Sequence, residues 1–196
     1  DVVISRIDPF TPYVHFLADA GARGELATTG ELTGTLDAPR FVGELVGSNL
    51  EYREWTAEGL GATYDLWLIH PVPGLRTAAR AEGVPAPNGD VYEVATVELT
   101  IDEPLVALIL DAERADGGIL QLVANGSIDE ERAIDAYIRR LNVDLDDQRW
   151  ALVRTARVEW TPDEGAVVSG LLLQQVDGEG LIALDGPLPP APTEVL

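Results

Sequence analysis

Apolar and polar residues alternate with a period of two along much of the chain, most clearly in the segment 30–45 (GELTGTLDAPRFVGEL). Glycine, leucine and phenylalanine occupy one set of positions, and glutamate and threonine occupy much of the other. Because successive side chains of a strand point to opposite faces, this pattern predicts strands with one apolar face. The triplet 37–39 predicts a turn between two of them, since Pro39 fixes its own φ and biases Ala38 away from helix.

The alternation returns in the second half of the chain, where Val97 and Leu99 are separated by Glu98. The continuous apolar run 105–110 predicts a strand that is covered on both faces. The pairs Gly117–Gly118 and Asn125–Gly126 predict hairpin turns. The segment 128–140 stays open between a short helix and a bent strand.

Few segments have the periodicity of a helix that could cover an apolar sheet face. The sequence therefore predicts an all-β fold, in the form of an elongated, curved sheet of many short strands, whose apolar face must be buried against a second sheet, against the same sheet folded over, or against a ligand. We expect residues 1–196 to form a single segment of a larger protein, because the chain contains no methionine and begins at Asp1. Proline, glycine and alanine predict a loop or insertion at 70–90 and a flexible tail at 187–196.

The charge of the chain narrows the choice of partners. Asp and Glu number 34 against 13 basic residues, which gives a formal net charge of −21. This balance argues against a nucleic-acid partner and against adsorption to anionic lipid, since both need basic side chains. The chain has no cysteine, which excludes disulfides and thiolate metal sites. No apolar run approaches the roughly 20 residues that a membrane-spanning helix needs.

A search for catalytic and metal-binding motifs yields little. His15 and His70 stand alone, and the chain has no H-E-x-x-H, Walker or G-x-S-x-G motif. The aspartates at 144, 146 and 147 lack the glycine and closing glutamate of a calcium loop. We therefore predict a protein that is not an enzyme and that holds no metal or cofactor. A glycosidase with two opposed carboxylates is the least favoured alternative.

Two segments carry a resemblance to a known family. Residues 30–68 combine Gly-x-Leu-x-Gly-x-Leu, Ala-Pro, Gly-x-Leu and a later Leu-x-Tyr. Residues 141–188 combine a strand, Trp-Ala-Leu, an alternating Val and Trp, and a final Leu-Asp-Gly-Pro-Leu-Pro. This repeat style resembles the TamB family, the inner-membrane component of the translocation and assembly module, which is related to the bridge-like lipid transfer proteins. The resemblance covers most of the chain and is least clear between 71 and 90.

The resemblance implies a U-shaped β-taco sheet with an apolar concave interior. Such a sheet spans the periplasm from an inner-membrane anchor and shields the acyl chains of phospholipids. It also implies a part in outer-membrane protein assembly with a TamA-like barrel, and it brings no catalytic residues. A dry apolar groove suits acyl chains, because each buried CH₂ contributes about 0.8 kcal/mol without directional contacts. We predict that the lipid-binding groove is formed by Leu32, Leu36, Phe41, Leu45, Val97, Leu99, Leu141, Val143, Leu145, Leu152, Val158 and Trp160.

Two other classes of function stay open on the sequence. A structural or adhesive cell-envelope β-repeat would have a core filled by its own side chains and would take up no lipid. An assembly chaperone would instead add client strands to the edge of its sheet.

Overall fold

The computed structural model describes residues 23–35, 37–52, 55–67, 74–85, 90–131, 133–145, 148–162 and 165–188, with the backbone alone at 52 and 55. These residues form strands and the turns between them, and none of the described segments is helical. The prediction of an all-β fold is therefore confirmed. The strands are β1 (Arg23–Thr35), β2 (Ala38–Tyr52), β3 (Trp55–Trp67), β4 (Gly74–Pro85), β5 (Val91–Asp102), β6 (Leu105–Arg114), β7 (Ile119–Ile128), β8 (Ile134–Leu145), β9 (Gln148–Leu152), β10 (Ala156–Thr161), β11 (Gly165–Gln175) and β12 (Leu181–Pro187).

All twelve strands belong to one antiparallel sheet in which strands follow one another in chain order. The strands β9 and β10 share one place in this order, since both lie between β8 and β11. Within the described part of the chain, strands make extensive contacts only with their hydrogen-bonded neighbours. The described strands thus form one continuous sheet, with no second sheet or helix among the described residues. The U shape and the concave apolar interior stay predictions.

The turn predicted at Gly117–Gly118 is confirmed, and the turn predicted at 37–39 is confirmed only at Asp37. Thr35 pairs with Ala38, and Ala38 and Pro39 already belong to β2. Gly117 lies in the β6–β7 turn with a φ of 84°, and its N–H bonds to the carbonyl of Arg114. A left-handed φ of this kind strains residues that carry a Cβ, which is why glycine occupies this position.

The loop predicted at 70–90 is wrong for residues 74–85, which form β4. Its residues pair with β5. Leu75, Thr77 and Ala79 share one face of the sheet, and Arg76 and Arg80 lie on the opposite face. The small alanines conceal this alternation in the sequence, and the surrounding prolines dominate the composition. Residues 68–73 and 86–89 lie outside the described residues, as do 1–22 and 189–196, which include most of the predicted tail.

Two further predictions fail where a local pattern was interpreted without its neighbours, and one open alternative is decided. The run 105–110 forms β6, but Leu105, Ala107 and Ile109 are exposed, so this strand is not covered on both faces. The Asn125–Gly126 pair lies inside β7 and forms no turn. The segment 128–140 contains the beginning of β8, which excludes the helix alternative for residues 134–140.

The sheet is irregular at three neighbouring places, which lie at one level along the strands β7 to β12. The register between β7 and β8 shifts between Val123 and Ala124, and the register between β11 and β12 shifts around Gly170. Residues 153–155 separate β9 from β10. Extra residues of this kind bend a strand and increase its twist. Ala156, Val168 and Leu173 surround this level and are among the few buried apolar residues of the described chain. Packing on one face of the sheet is therefore tightest here.

Candidate functional site

The register assigns every paired residue to one of two sheet faces, because directly opposite residues of antiparallel strands share a face. One unbroken row passes through eleven strands. We call the side that carries this row the apolar face and the opposite side the polar face. The row consists of Leu32, Phe41, Leu66, Leu75, Ile101, Val106, Gly126, Ala136, Val158, Val168 and Gly186.

Counting alternate residues along each strand from this row shows on which face each predicted groove residue lies. They lie in three stretches of the same face, on β1–β2, on β5 and on β8–β10, and Leu36 lies outside the described residues. The residues on the apolar face are Leu32, Phe41, Leu45, Val97, Leu99, Leu141, Val143, Leu145, Leu152, Val158 and Trp160.

Sequence reasoning did not include in the groove the residues that join these stretches. Leu75 and Ala79 on β4 continue the surface from β3 to β5, and Leu108 and Leu110 on β6 and Leu122 on β7 continue it to β8. The strict alternation of Leu108 and Leu110 was hidden because Ala107 and Ile109 on the other face are also apolar.

The large side chains of the apolar face are half-buried on the middle strands β2 to β7, and the exposed ones lie on the first strand and on β8, β10 and β12. Leu32 is 64% exposed, and Leu145, Trp160, Ile182 and Leu184 each expose more than a third of their surface. Among the described residues no large side chain is fully buried. An apolar sheet face ordinarily packs against another layer, and this one has no such layer within the described chain.

The glycine repeat at the start of the sheet accommodates a tyrosine. Gly30 and Gly43 are paired on the apolar face, and Tyr64 of β3 is the next partner of Gly43. A Cβ at Gly43 would lie 2.6 Å from the Tyr64 hydroxyl, and one at Gly30 would lie 2.9 Å from it. The hydroxyl also forms a 2.8 Å hydrogen bond with Thr28 Oγ1. The ring therefore lies across the glycine pair, which the sequence pattern alone did not indicate.

The polar face carries pairs of opposite charge between strands. Arg40 Nε donates to Asp65 Oδ1 over 2.7 Å, and Arg76 Nη2 donates to Asp102 over 2.8 Å. The Arg40 guanidinium lowers the pKa of the Asp65 carboxyl by hydrogen bonding. Trp67 also lies on this face, with the Arg76 guanidinium 5.3 Å from its ring centre. This tryptophan therefore takes no part in the apolar face.

The same face carries a hydrogen-bonded link of one carboxylate and two amides between three strands. Gln121 Nε2 donates to Asp111 Oδ1, and Asn142 Nδ2 donates to Gln121 Oε1, both over 3.1 Å. These residues are directly paired across β6, β7 and β8. Side-chain pairs of this kind stabilise a register, because a slip by one residue would move each of them to the opposite face.

Arg114 at the end of β6 is the one buried charged residue among the described side chains. Its guanidinium bonds to both carboxylate oxygens of Asp116, at 3.0 and 2.9 Å, and contacts Asp90. The Gly118 N–H donates to Asp116 Oδ1 over 2.9 Å, and this bond together with Arg114 lowers the pKa of the Asp116 carboxyl. The cluster joins the β6–β7 turn to the beginning of β5, which gives it a structural role.

Two shallow depressions lie mainly on the polar face of β2–β5, with volumes of about 530 and 490 Å³. Both are lined by Glu44, Thr63, Ala78 and Glu98. Of the predicted groove residues only Leu45 and Val97 line either depression. These depressions are therefore distinct from the apolar face.

The described residues hold no group of three or more His, Asp or Glu side chains arranged to bind a metal ion. His15 and His70 lie outside the described residues. No described helix is long and apolar enough to cross a membrane. Comparison of the chain with protein-family models, with curated proteins and with solved structures found no match.

Asp144 provides a pH-dependent contribution to stability. Its oxygens accept 2.9 and 3.1 Å bonds from Arg149, and Oδ2 accepts a 3.1 Å bond from the Ile119 N–H. These donors lower the pKa of a carboxyl whose side chain is 11% exposed, and Arg149 contributes most. Because the folded state holds the proton less tightly than the unfolded state, this stability is present above the unfolded pKa of about 4 and is lost as pH falls through the folded value.

We expect Asp144→Asn to lower the free energy of unfolding by about 1–2 kcal/mol at neutral pH and to flatten its decline in acid. Urea titrations across the acid range measure both effects. Asp102→Asn is the matched control, because Asp102 is 47% exposed and Arg76 is its one ion-pair partner among the described residues. Equal losses in the two variants at neutral pH would contradict the prediction.

Proposed function

We propose that the apolar face binds the acyl chains of phospholipids and shields them from water along the sheet. The observation that carries this proposal is the unbroken apolar row through eleven strands, which no described element covers. Acyl chains bind without directional contacts, so a surface of leucine, valine and alanine suits them. Such binding is nearly uniform along the row, which favours sliding of lipid over fixed capture.

The asymmetry of the sheet supports this proposal. Interstrand ion pairs and hydrogen-bonded amides occupy the polar face, where Arg40–Asp65 and Gln121–Asn142 hold neighbouring strands together. The opposite side of the same strands offers aliphatic carbons. A sheet of this kind stays hydrated on one side while it presents hydrocarbon on the other.

The resemblance to the TamB family extends the proposal to location and partners. In this proposal the chain is a segment of a periplasm-spanning protein of the cell envelope, anchored in the inner membrane, that carries phospholipid toward the outer membrane. A TamA-like barrel is the proposed partner of the full-length protein in outer-membrane protein assembly. The alternative is a structural β-repeat, which would leave the apolar face without lipid.

A pair of single-cysteine variants tests the proposal, because the chain has no native cysteine. Leu99→Cys places a polarity-sensitive fluorophore on the apolar face, and Glu98→Cys places it one residue away on the polar face. With dispersed phospholipid, we expect a blue shift of emission and a higher quantum yield from residue 99 and little change from residue 98. Equal responses, or none at 99, would contradict lipid binding by the apolar face and favour the structural repeat.

A further inference from the structure

We propose that the polar face of β6–β8 is a docking surface for an acidic and partly apolar segment of a partner protein. Ile109 pairs with Val123, and Val123 pairs with Arg140, so these three residues form one row across the three strands. The surface lies inside the sheet and not at either of its described ends. We call it the arginine patch, and it consists of Leu105, Ile109, Val123, Tyr137, Arg139 and Arg140.

Two arginines of the patch lack the carboxylate partners that most arginines of this acidic chain have. Acidic residues outnumber basic ones by 34 to 13. Arg139 and Arg140 nevertheless form no ion pair with a described carboxylate, and neither does Arg154, whose segment 153–155 lies beside Arg140 in the sheet. Arg23 at the start of β1 is the fourth such arginine among the described residues. The described arginines that do form ion pairs are Arg40, Arg76, Arg80, Arg114, Arg149 and Arg157.

The register shift in β8 puts two consecutive arginines on one face. Val123 pairs with Arg140 and Ala124 pairs with Ile138, so Arg139 is the extra residue. An extra residue of this kind changes the direction of a side chain, whereas a regular strand would send neighbours to opposite faces. The Arg139 Nε donates to Asn125 Oδ1 over 2.9 Å, and its guanidinium lies 5.1 Å from the centre of the Tyr137 ring. These uncharged partners hold Arg139 on the polar face and leave its charge without a counterion among the described residues.

The carboxylates nearest to these arginines are engaged elsewhere. Asp135 accepts bonds of 2.8 and 3.0 Å from Arg157, and Glu159 lies 3.0 Å from the same guanidinium. Asp185 accepts a 2.5 Å bond from the Gly170 N–H. A carboxylate of another molecule would therefore meet guanidinium groups whose planar donors suit a two-bond contact.

The apolar part of the patch decides the class of partner. Leu105 is 63% exposed and Ile109 is 40% exposed, although both lie on the hydrated face. Free phosphate would leave these side chains in water, and a formal charge of −21 opposes adsorption to an anionic membrane. Protein interfaces are enriched in arginine and tyrosine and are apolar at their centre. The occupant that matches both parts is a protein segment with Asp or Glu next to aliphatic or aromatic residues.

Selection of random peptides displayed on phage, with the full chain as bait, tests the inference. We expect the recovered peptides to combine Asp or Glu with aliphatic or aromatic residues. As synthetic peptides they should bind Arg140→Glu at least about tenfold more weakly than wild type in fluorescence anisotropy, because a repelling carboxylate replaces a donor. Arg140→Gln removes the charge without reversing it and should act in the same direction.

Arg23→Glu is the matched control for the peptide measurement. It makes the same change of charge at an exposed arginine of β1, far along the sheet from the patch. Binding should stay within about twofold of wild type, because exposed charges separated by more than a Debye length are largely screened. Recovery of only basic or uncharged peptides, or of peptides that bind Arg140→Glu as tightly as wild type, would overturn the inference. Flotation with phosphatidylglycerol vesicles that is lost in Arg140→Glu would assign the patch to a membrane and would also overturn it.

Two neighbouring substitutions on β6 separate this inference from lipid binding. Ile109→Asp places a carboxylate in the patch and should weaken the binding of acidic peptides. Leu108→Asp lies on the apolar face and should leave peptide binding unchanged. The expected effects on phospholipid are the reverse, so a failure of either proposal is visible without the other.

Discussion

Leu108→Asp is expected to weaken phospholipid binding at least about a hundredfold. Leu108 lies on the apolar face at the centre of β6, between Leu99 of β5 and Ala124 of β7. Burying a leucine against hydrocarbon contributes about 1.5–3 kcal/mol, and an unpaired carboxylate in the same place adds a desolvation cost. Both effects oppose an acyl chain on this surface. Native mass spectrometry of the chain with added phospholipid measures the loss.

Ile109→Asp is the matched control for this prediction. Ile109 is the next residue on the same strand, has a similar volume, and is 40% exposed on the polar face. The same carboxylate there meets water and should leave lipid binding within about twofold of wild type. Circular dichroism should show that both variants keep their strands. Equal loss from both substitutions would indicate damage to the sheet, and no loss from Leu108→Asp would contradict the proposed function.

Gly126→Ala is expected to reduce the free energy of unfolding by about 2–4 kcal/mol. A Cβ at Gly126 would overlap the Asp135 carbonyl oxygen and lie 2.5 Å from the Ala136 Cα. These are backbone atoms of the neighbouring strand β8, so relief requires the two strands to separate. Urea denaturation monitored by tryptophan fluorescence measures the change.

The same glycine-to-alanine substitution at Gly61 is not expected to reduce the free energy of unfolding. Gly61 lies on β3, and a Cβ there would meet no atom within 4 Å. Because alanine reduces the entropy of the unfolded chain, we expect an unchanged stability or a gain of about 0.5–1 kcal/mol. A similar loss at both positions would show that a general strand preference, and not the approach of β8, decides the outcome.

The failures of sequence interpretation share a cause that Gly126 illustrates. The pair Asn125–Gly126 is a frequent turn signal, and nothing local distinguishes it from a glycine that admits a neighbouring strand. The β4 strand was missed for a related reason, since Ala78 and Ala79 carry little contrast between faces. Tyr64 was not assigned, because its place over Gly30 and Gly43 depends on β1, β2 and β3 meeting.

The sequence by itself determined that this chain forms strands with one apolar face, and its parity grouped Leu32, Phe41, Val97, Leu99 and Val158 correctly on one side. This succeeds because side-chain alternation is a local property of an extended backbone. Only the tertiary structure decided the register shifts at Arg139 and Gly170, because each depends on hydrogen bonds between residues distant in sequence. Those pairings join separate apolar segments into one surface, which is why the candidate site became visible only in the assembled sheet.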